Sequence, residues 1–469
     1  MYAHNIERKL IVTTKIFAKQ ALTVDGWQDN VCIELNDGRI VAINSNEVED
    51  HADQRVGILL PALSNLHSHS FQRAMAGLCE YKNTRSSGDD FWSWRNVMYQ
   101  FLQQLSPEDI QSIAAQVQME MLESGFAACA EFHYLHHAAN GHHYAQLSEL
   151  SLRLFAAAQE TGIGYTHLPV LYTYGGLDER PLTDSQSRFS CDPDLFEQLF
   201  FELKTEIASL PNDTVLGVAP HSLRATNEVG LELCQHLCPG QPIHIHIAEQ
   251  MNEVMEVKER YGAPPVEWLI NHFNVDRNWC LVHATHMTEH ESRLLAGSKA
   301  VAGLCPITEA NLGDGIFNAR AFIADGGHFG IGSDSNVRIA LSEELRLLEV
   351  SQRLRDRQRV ILADQTLSSN GRFIYERAAL GGAQALGRPS GKIAVGCVAD
   401  LVALDAQHNN LIGLRQDKIL DAWIFASDDS IVKDVWAAGR HMVKDGQHTQ
   451  HERISRQFKA TIQRLRASI

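Results

Sequence analysis

The sequence predicts an α/β fold: a (β/α)8 TIM-type barrel with a small satellite β domain built from both chain termini. Three observations carry that prediction. Eight short apolar runs follow one another through the middle of the chain: GILLPALSNL, GFAACAEF, IGYTHLPVLY, TVLGVAP, PIHIHIA, WCLVHAT, AVAGLCP and HFGIGSD. Segments of helical length separate most of them, the alternation that builds a parallel sheet from βα units. Both ends of the chain read instead as strands and turns. The 469 residues leave room for a barrel of ~250 residues or more and a smaller module.

Residues 1–57 form the first part of the satellite domain. KLIVTTKIFA, ALTVDGWQDNVCIEL and NDGRIVAINSN are separated by Asp-Gly turns of the kind hairpins require. The barrel is expected over 58–386. Within it, SPEDIQSIAAQVQMEMLESG reads as an amphipathic helix started by Ser106, Pro107 and Asp109. Residues 387–445 return to strand texture in VADLVALDAQ, AWIFAS and IVKDVWAAGRHMV, completing the satellite domain. Residues 446–469 read as a charged surface helix.

Hydrophobic content of 44% and charged content of 21% describe a globular protein with ample core. No run of 18 or more apolar residues appears, and MYAHNIERKL lacks a signal peptide's apolar stretch, so a cytoplasmic protein without membrane partners is expected. Nine scattered cysteines read as reduced thiols. Cys234 and Cys238, in CQHLC, read as two buried small residues in preference to a zinc or redox pair. A net charge of −16 argues against nucleic acid, because phosphate binding needs basic surface. A small anionic substrate would need a local arginine cluster, since the global field repels it. A homodimer is the expected assembly.

Catalytic groups of such barrels sit at the carboxyl ends of the strands. The first run ends in His67 and His69, and the second in Glu131, His133 and Tyr134. His221 and Arg224 follow the fourth. The fifth carries His244 and His246, with Glu249 three residues on. The sixth ends in His283 and His286, the seventh in Pro306 and Glu309, and the eighth in Asp334. Alternate strand residues share a face, so an H-x-H pair can aim both imidazoles at one ion. A third histidine and an aspartate from across the barrel complete a set suited to zinc: His67, His69, His246 and Asp334. One Zn2+ per subunit is expected, although Fe2+ or another divalent ion could take the same ligands. His244 is the other candidate in HIHIAE. His246 is preferred because Glu249 then stands close enough to carry protons, and His244 reads as a packed, hydrogen-bonded barrel residue. His136, His137, His142 and His143 read as a solvated loop.

The stretches NLHSHSFQRAMAGL, FWSWR, AEFHYLHH, HIHIAEQ, LVHATH, GLCPITEANLGDGIF and GSDSN run from residue 65 to 336. They resemble the amidohydrolase superfamily in its deaminase branch, and within it the formimidoylglutamate deiminases. The resemblance implies the four zinc ligands above, a proton shuttle at Glu249, and His283 and Asp334 as the groups that orient or polarise the reacting atoms. It also implies substrate carboxylates held by Gln72, Arg95, Tyr134, His221 and Arg224. The implied reaction is hydrolysis of N-formimino-L-glutamate to N-formyl-L-glutamate and ammonia, in histidine degradation. The residues by themselves leave open which C–N bond breaks.

Trp92 and Trp94 read as a packed lid, and Ile307 stands where the family's proline-threonine-glutamate stretch has a threonine. Binuclear members of the superfamily commonly bridge their metals with a carbamylated lysine. No lysine occurs here between Lys82 and Lys204, so a mononuclear site is expected, with Glu131 left as a possible bridge to a second ion. The alternative reading is another mononuclear-zinc deaminase or chlorohydrolase of the superfamily. Acting on a nucleobase or triazine ring, it would favour aromatic stacking over arginines.

Overall fold

The computed structural model describes residues 13–49, 52–80 and 91–467. Eight parallel strands form its centre: β1 (Leu63–Ser68), β2 (Phe126–His133), β3 (Gly164–Leu171), β4 (two short pieces, Val215–Leu216 and Ala219–Pro220), β5 (Ile243–Ile247), β6 (Trp279–His283), β7 (Val301–Leu304) and β8 (His328–Ile331). Regular pairing runs from β1 to β4 and from β5 to β8. Parallel bridges Val218↔Ile243 and Ser222↔His246 join β4 to β5, and Ser68↔Asp334 closes the ring between the extension of β8 and β1. A parallel strand covered on both faces needs apolar residues on both, which is why these segments read as continuous runs. In β2 and β3 every position is buried.

The helix Pro107–Glu123 begins as its sequence predicts. Ser106 and Asp109 form a reciprocal capping box, with the Asp109 amide donating to Ser106 Oγ at 3.2 Å and the Ser106 amide donating to Asp109 Oδ2 at 2.9 Å. The helix His451–Arg466 is charged along most of its length but buries Ile454, Ile462 and Leu465. It docks on Pro107–Glu123 through Thr461–Ser112, at 3.2 Å, and an ion pair of Arg464 with Asp109. Among the described residues no helix is long and apolar enough to cross a membrane.

Both chain ends build one eight-stranded sheet. Its order is Gln447–His448, Arg440–Lys444, Val432–Ala437, Leu401–Leu404, Gln54–Pro61, Thr14–Thr23, Gly26–Asn36 and Arg39–Asn44. At the turn between the last two, Asp37 and Gly38 have φ of 47° and 73°, the pair of positive values that a type I′ hairpin demands. Run one, GILLPALSNL, serves two sheets. Gln54–Pro61 pairs with Leu401–Leu404, and β1 begins at Leu63, so the expected 57/58 boundary falls within a continuous strand.

AWIFAS is not a strand. It lies in the helix Asp417–Ala426, which buries Ile419, Leu420, Trp423 and Ile424 on one face. Six residues are too few to separate a period of 2 from one of 3.6.

Arg388 ties the sheet to the barrel. Its guanidinium, with a side chain 1% exposed, contacts Asp400 at 3.1 Å and Asp213 at 3.2 Å. Asp213 also pairs with Arg440 at 2.8 Å.

Candidate metal centre and active site

The ends of β1, β5 and β8 bring His67, His69, His246 and Asp334 together, all buried, with one ligand atom from each within 4.8 Å of the others. His67 Nε2 lies 3.2 Å from His69 Nε2, 3.0 Å from His246 Nε2 and 3.5 Å from Asp334 Oδ1. His69 Nε2 lies 3.3 Å from the same oxygen. Four donors at ~2.1 Å from one tetrahedral ion would stand about 3.4 Å apart, so the spacing fits a single ion.

The outer hydrogen bonds fit it as well. His69 Nδ1 faces the Phe132 carbonyl at 2.9 Å, and His246 Nδ1 faces the His221 carbonyl at 3.2 Å. A carbonyl only accepts, so each Nδ1 carries hydrogen and each Nε2 turns a lone pair inward. Two converging lone pairs, the buried His67 Nε2 between them and a carboxylate call for a cation. Burial moves all three histidines towards the neutral, ligating form, His67 to about 3.

Asp334 reaches this position on a left-handed backbone, φ 45°. A polar network beneath it supports the turn: Asn65 Nδ2 donates to Ser333 Oγ at 2.6 Å, and Asn336 Nδ2 donates to the Asp334 carbonyl at 3.0 Å and to Ser68 Oγ at 3.1 Å.

Glu249 and His283 stand beside the ligand set. Glu249 Oε1 is 3.8 Å from His283 Nε2, which is 3.9 Å from Asp334 Oδ2. Burial pushes the Glu249 carboxyl up to about 7, where a group can take and return a proton near neutrality. Burial works against charge on His283, but the carboxylates of Glu249, Glu309 and Asp334 outweigh it and raise the imidazole to about 10. A cation among the ligands opposes that rise. Glu253 holds the Glu249 backbone, its two oxygens accepting from the Ala248 and Glu249 amides at 3.2 Å each.

One cavity contains His69, His246, Glu249, His283 and Asp334 together with Gln72, Arg95, Tyr134, His221 and Arg224. Gln72 Nε2 donates to the Tyr134 hydroxyl at 2.9 Å, while its buried Oε1 has no protein partner. Arg95 donates from Nη2 to the Tyr172 hydroxyl at 3.1 Å and from Nε to Tyr99. Burial opposes the Arg224 charge, and neighbouring acidic groups, Glu253 and Glu249 among them, sustain it. Trp94 lines the same cavity. The side chain of Trp92 lies outside the described residues.

Other sequence readings divide. His244 is a packed barrel residue, its Nε2 2.8 Å from the Ala385 carbonyl. All nine cysteines are free, with Cys234 and Cys238 buried. The histidine loop is only half solvated: His142 and His143 are exposed, whereas His136 and His137 are buried against the carbonyls of Val170 (2.8 Å) and Ser190 (2.6 Å). A buried imidazole needs such partners, and these arrive from distant segments. Glu131 is turned to the β1 end, where one oxygen accepts from both the amide and the hydroxyl of Ser70 at 2.7 Å each. It belongs to no ligand group found among the described residues. Tyr99, Tyr172 and Glu253 were missed. Tyr172 closes the third apolar run, where only its aromatic character showed.

The chain is similar throughout its length to known proteins. Residues 58–442 match the family described as "Amidohydrolase family", and residues 13–57 match "Formimidoylglutamate deiminase HutF, N-terminal domain". A Pseudomonas aeruginosa protein named formimidoylglutamate deiminase is 46% identical over 447 residues, which cover 94% of this chain and 97% of that one. A crystal structure of an amidohydrolase from Brucella melitensis superposes with a TM-score of 0.91 at 43% identity, covering 96% and 99% of the two chains. An adenosine deaminase from Xanthomonas campestris with bound zinc shares the fold, with a TM-score of 0.80 at 21% identity and 97% and 98% coverage. The chain belongs to the amidohydrolase family, within the group that carries the formimidoylglutamate deiminase amino-terminal domain.

Proposed function

We propose that the protein hydrolyses N-formimino-L-glutamate to N-formyl-L-glutamate and ammonia, as a cytoplasmic, homodimeric enzyme of histidine degradation. One zinc ion per subunit would be held by His67, His69, His246 and Asp334. The observation that carries the substrate reading is the meeting of Arg95 and Arg224 with the metal ligands in one cavity, in a chain whose net charge is −16. Arginine's planar fork suits carboxylates, and the substrate has two.

An ion in this set supplies Lewis acidity and can lower the pKa of water from 15.7 to about 7. Gln72, Tyr134, His221 and the two arginines hold the glutamate moiety. Glu249 takes a proton from the attacking water and passes it to the terminal imino nitrogen. His283 orients the reacting group. Water adds its oxygen to the formimino carbon. The remaining hydroxyl proton goes to the same terminal nitrogen as the carbonyl forms and the C–N bond to that nitrogen breaks. Ammonia and N-formyl-L-glutamate are released.

The test is to incubate zinc-loaded protein with N-formimino-L-glutamate and quantify ammonia, formamide and N-formylglutamate together. Ammonia and N-formylglutamate in equal amounts are expected. Formamide with glutamate would reverse the proton delivery assigned to Glu249. No turnover in protein shown to contain zinc would overturn the substrate reading in favour of a ring deaminase.

A further inference from the structure

We infer that Glu309 is a positioning residue for His283, holding hydrogen on Nδ1 so that Nε2 is the end presented to the reacting atoms. The inference rests on the function proposed above for its kinetic consequence, but not for its geometry.

Glu309 lies in the short helix Pro306–Leu312 that follows β7, next to β6. Its Oε1 is 3.3 Å from His283 Nδ1 and accepts the Cys305 amide at 2.9 Å. The amide has no tautomer to choose, so it pins that oxygen in place. Glu309 itself is 5% exposed. A carboxylate oxygen already accepting one hydrogen bond faces Nδ1 as an acceptor, and Nδ1 must donate. The other ring nitrogen then looks toward Glu249 and Asp334, at 3.8 and 3.9 Å.

The backbone closes off alternatives. His283 and Ala284 both have positive φ, 67° and 50°, a conformation costly for side chains with a Cβ and kept only where its surroundings enforce it. The Ala284 amide donates to the Ile247 carbonyl and the His286 amide to the Ala248 carbonyl, both at 3.0 Å. The ring is buried and lies nearly parallel to that of His246, 14° apart in plane. Backbone and stacking set where the ring lies. Glu309 keeps hydrogen on Nδ1 whether or not Nε2 is also protonated, as a group behind an active-site histidine fixes its orientation.

The competing reading is that Glu309 only secures the start of its helix through Cys305. Glu309→Leu removes both interactions, whereas Glu309→Gln keeps a side-chain oxygen able to accept both. With metal-loaded protein, Glu309→Leu should lower kcat by about 10²–10⁴-fold, the range for losing a correctly disposed proton-transfer group, with KM and metal content unchanged. Glu309→Gln should recover most of that loss. 15N-histidine NMR of the wild type, with the resonance assigned by loss in His283→Asn, is followed with rising pH until the ring loses its charge. It should show Nδ1 still protonated when Nε2 is not.

An unprotonated Nδ1 in the wild type overturns the inference even if Glu309→Leu fails to fold. So does a Glu309→Leu variant with wild-type kcat, or one whose defect lies in metal content. Absence of turnover in the wild type would instead sink the proposed function and leave the tautomer measurement readable.

Discussion

His246 Nε2 lies 3.0 Å from His67 Nε2, although 179 residues separate them and their strands face each other across the barrel. Two nitrogen lone pairs at that distance repel unless a proton or cation lies between them. Substituting His246→Ala should therefore lower metal affinity by more than the ~10–100-fold lost when a supporting group of a metal site is removed. Metal content after dialysis against a competing chelator checks this. Chelation should also lower the melting temperature of the wild type, because an ion at 1,000 times its dissociation constant stabilises by ~4 kcal/mol. The variant should show little such difference.

Glu249→Gln should keep the metal and lose turnover. Its amide cannot take or return a proton, and general acid–base groups contribute about 10²–10⁴-fold. Burial raises the carboxyl to about 7, and the group must start unprotonated to accept a proton from water. The wild-type kcat/KM should accordingly fall as pH drops through about 7. An acid limb at the ordinary glutamate value, 4.5, would contradict this assignment.

Arg224→Met should lower kcat/KM for N-formimino-L-glutamate by about 10–100-fold, since hydrogen bonds to charged groups contribute ~1.5–3 kcal/mol. Metal content should not change. A formimino amino acid with one carboxylate should lose less on the same substitution if Arg224 holds the missing group. Equal losses for both substrates would show that Arg224 acts on something else.

Removing a partner from Arg388 should cost stability without touching the chemistry. Asp400→Asn leaves a guanidinium 1% exposed with a weakened counter-charge, and breaking buried ion pairs costs about 3–5 kcal/mol. A lower denaturation midpoint with unaltered kcat is expected. Burial works against charge on Asp213, but Arg440 and Arg388 outweigh it and hold the carboxyl below its ordinary 3.8. A depressed carboxyl contributes stability above its unfolded value and loses it as pH falls through the folded one. Wild-type stability should thus decline in acid below about pH 4, and Asp213→Asn should show a shallower decline over the same range.

Much of the architecture was legible because barrel strands and their helices obey local patterns. The capping box at Ser106 and the strand-end histidines needed neighbours only one to four residues away. AWIFAS misled because its helix shows its period only when Ile419 and Leu420 are included. His136 and His137 looked like loop residues because the carbonyls that bury them belong to Val170 and Ser190. Tyr172 gave no polar signal at a strand end, and its contact with Arg95 spans 77 residues.

By itself, then, the sequence determined the alternation of strands and helices, and which residue types stand at the mouth of each strand, since periodicity and strand direction dictate both. Only the tertiary structure decided which atoms meet. Closing the ring brings β1 opposite β5, and places a glutamate after β7 against the imidazole that ends β6. The left-handed turns at His283 and Asp334 aim the side chains. Those outcomes depend on hydrogen bonds between segments far apart in the chain, and no local pattern encodes the partner of such a bond.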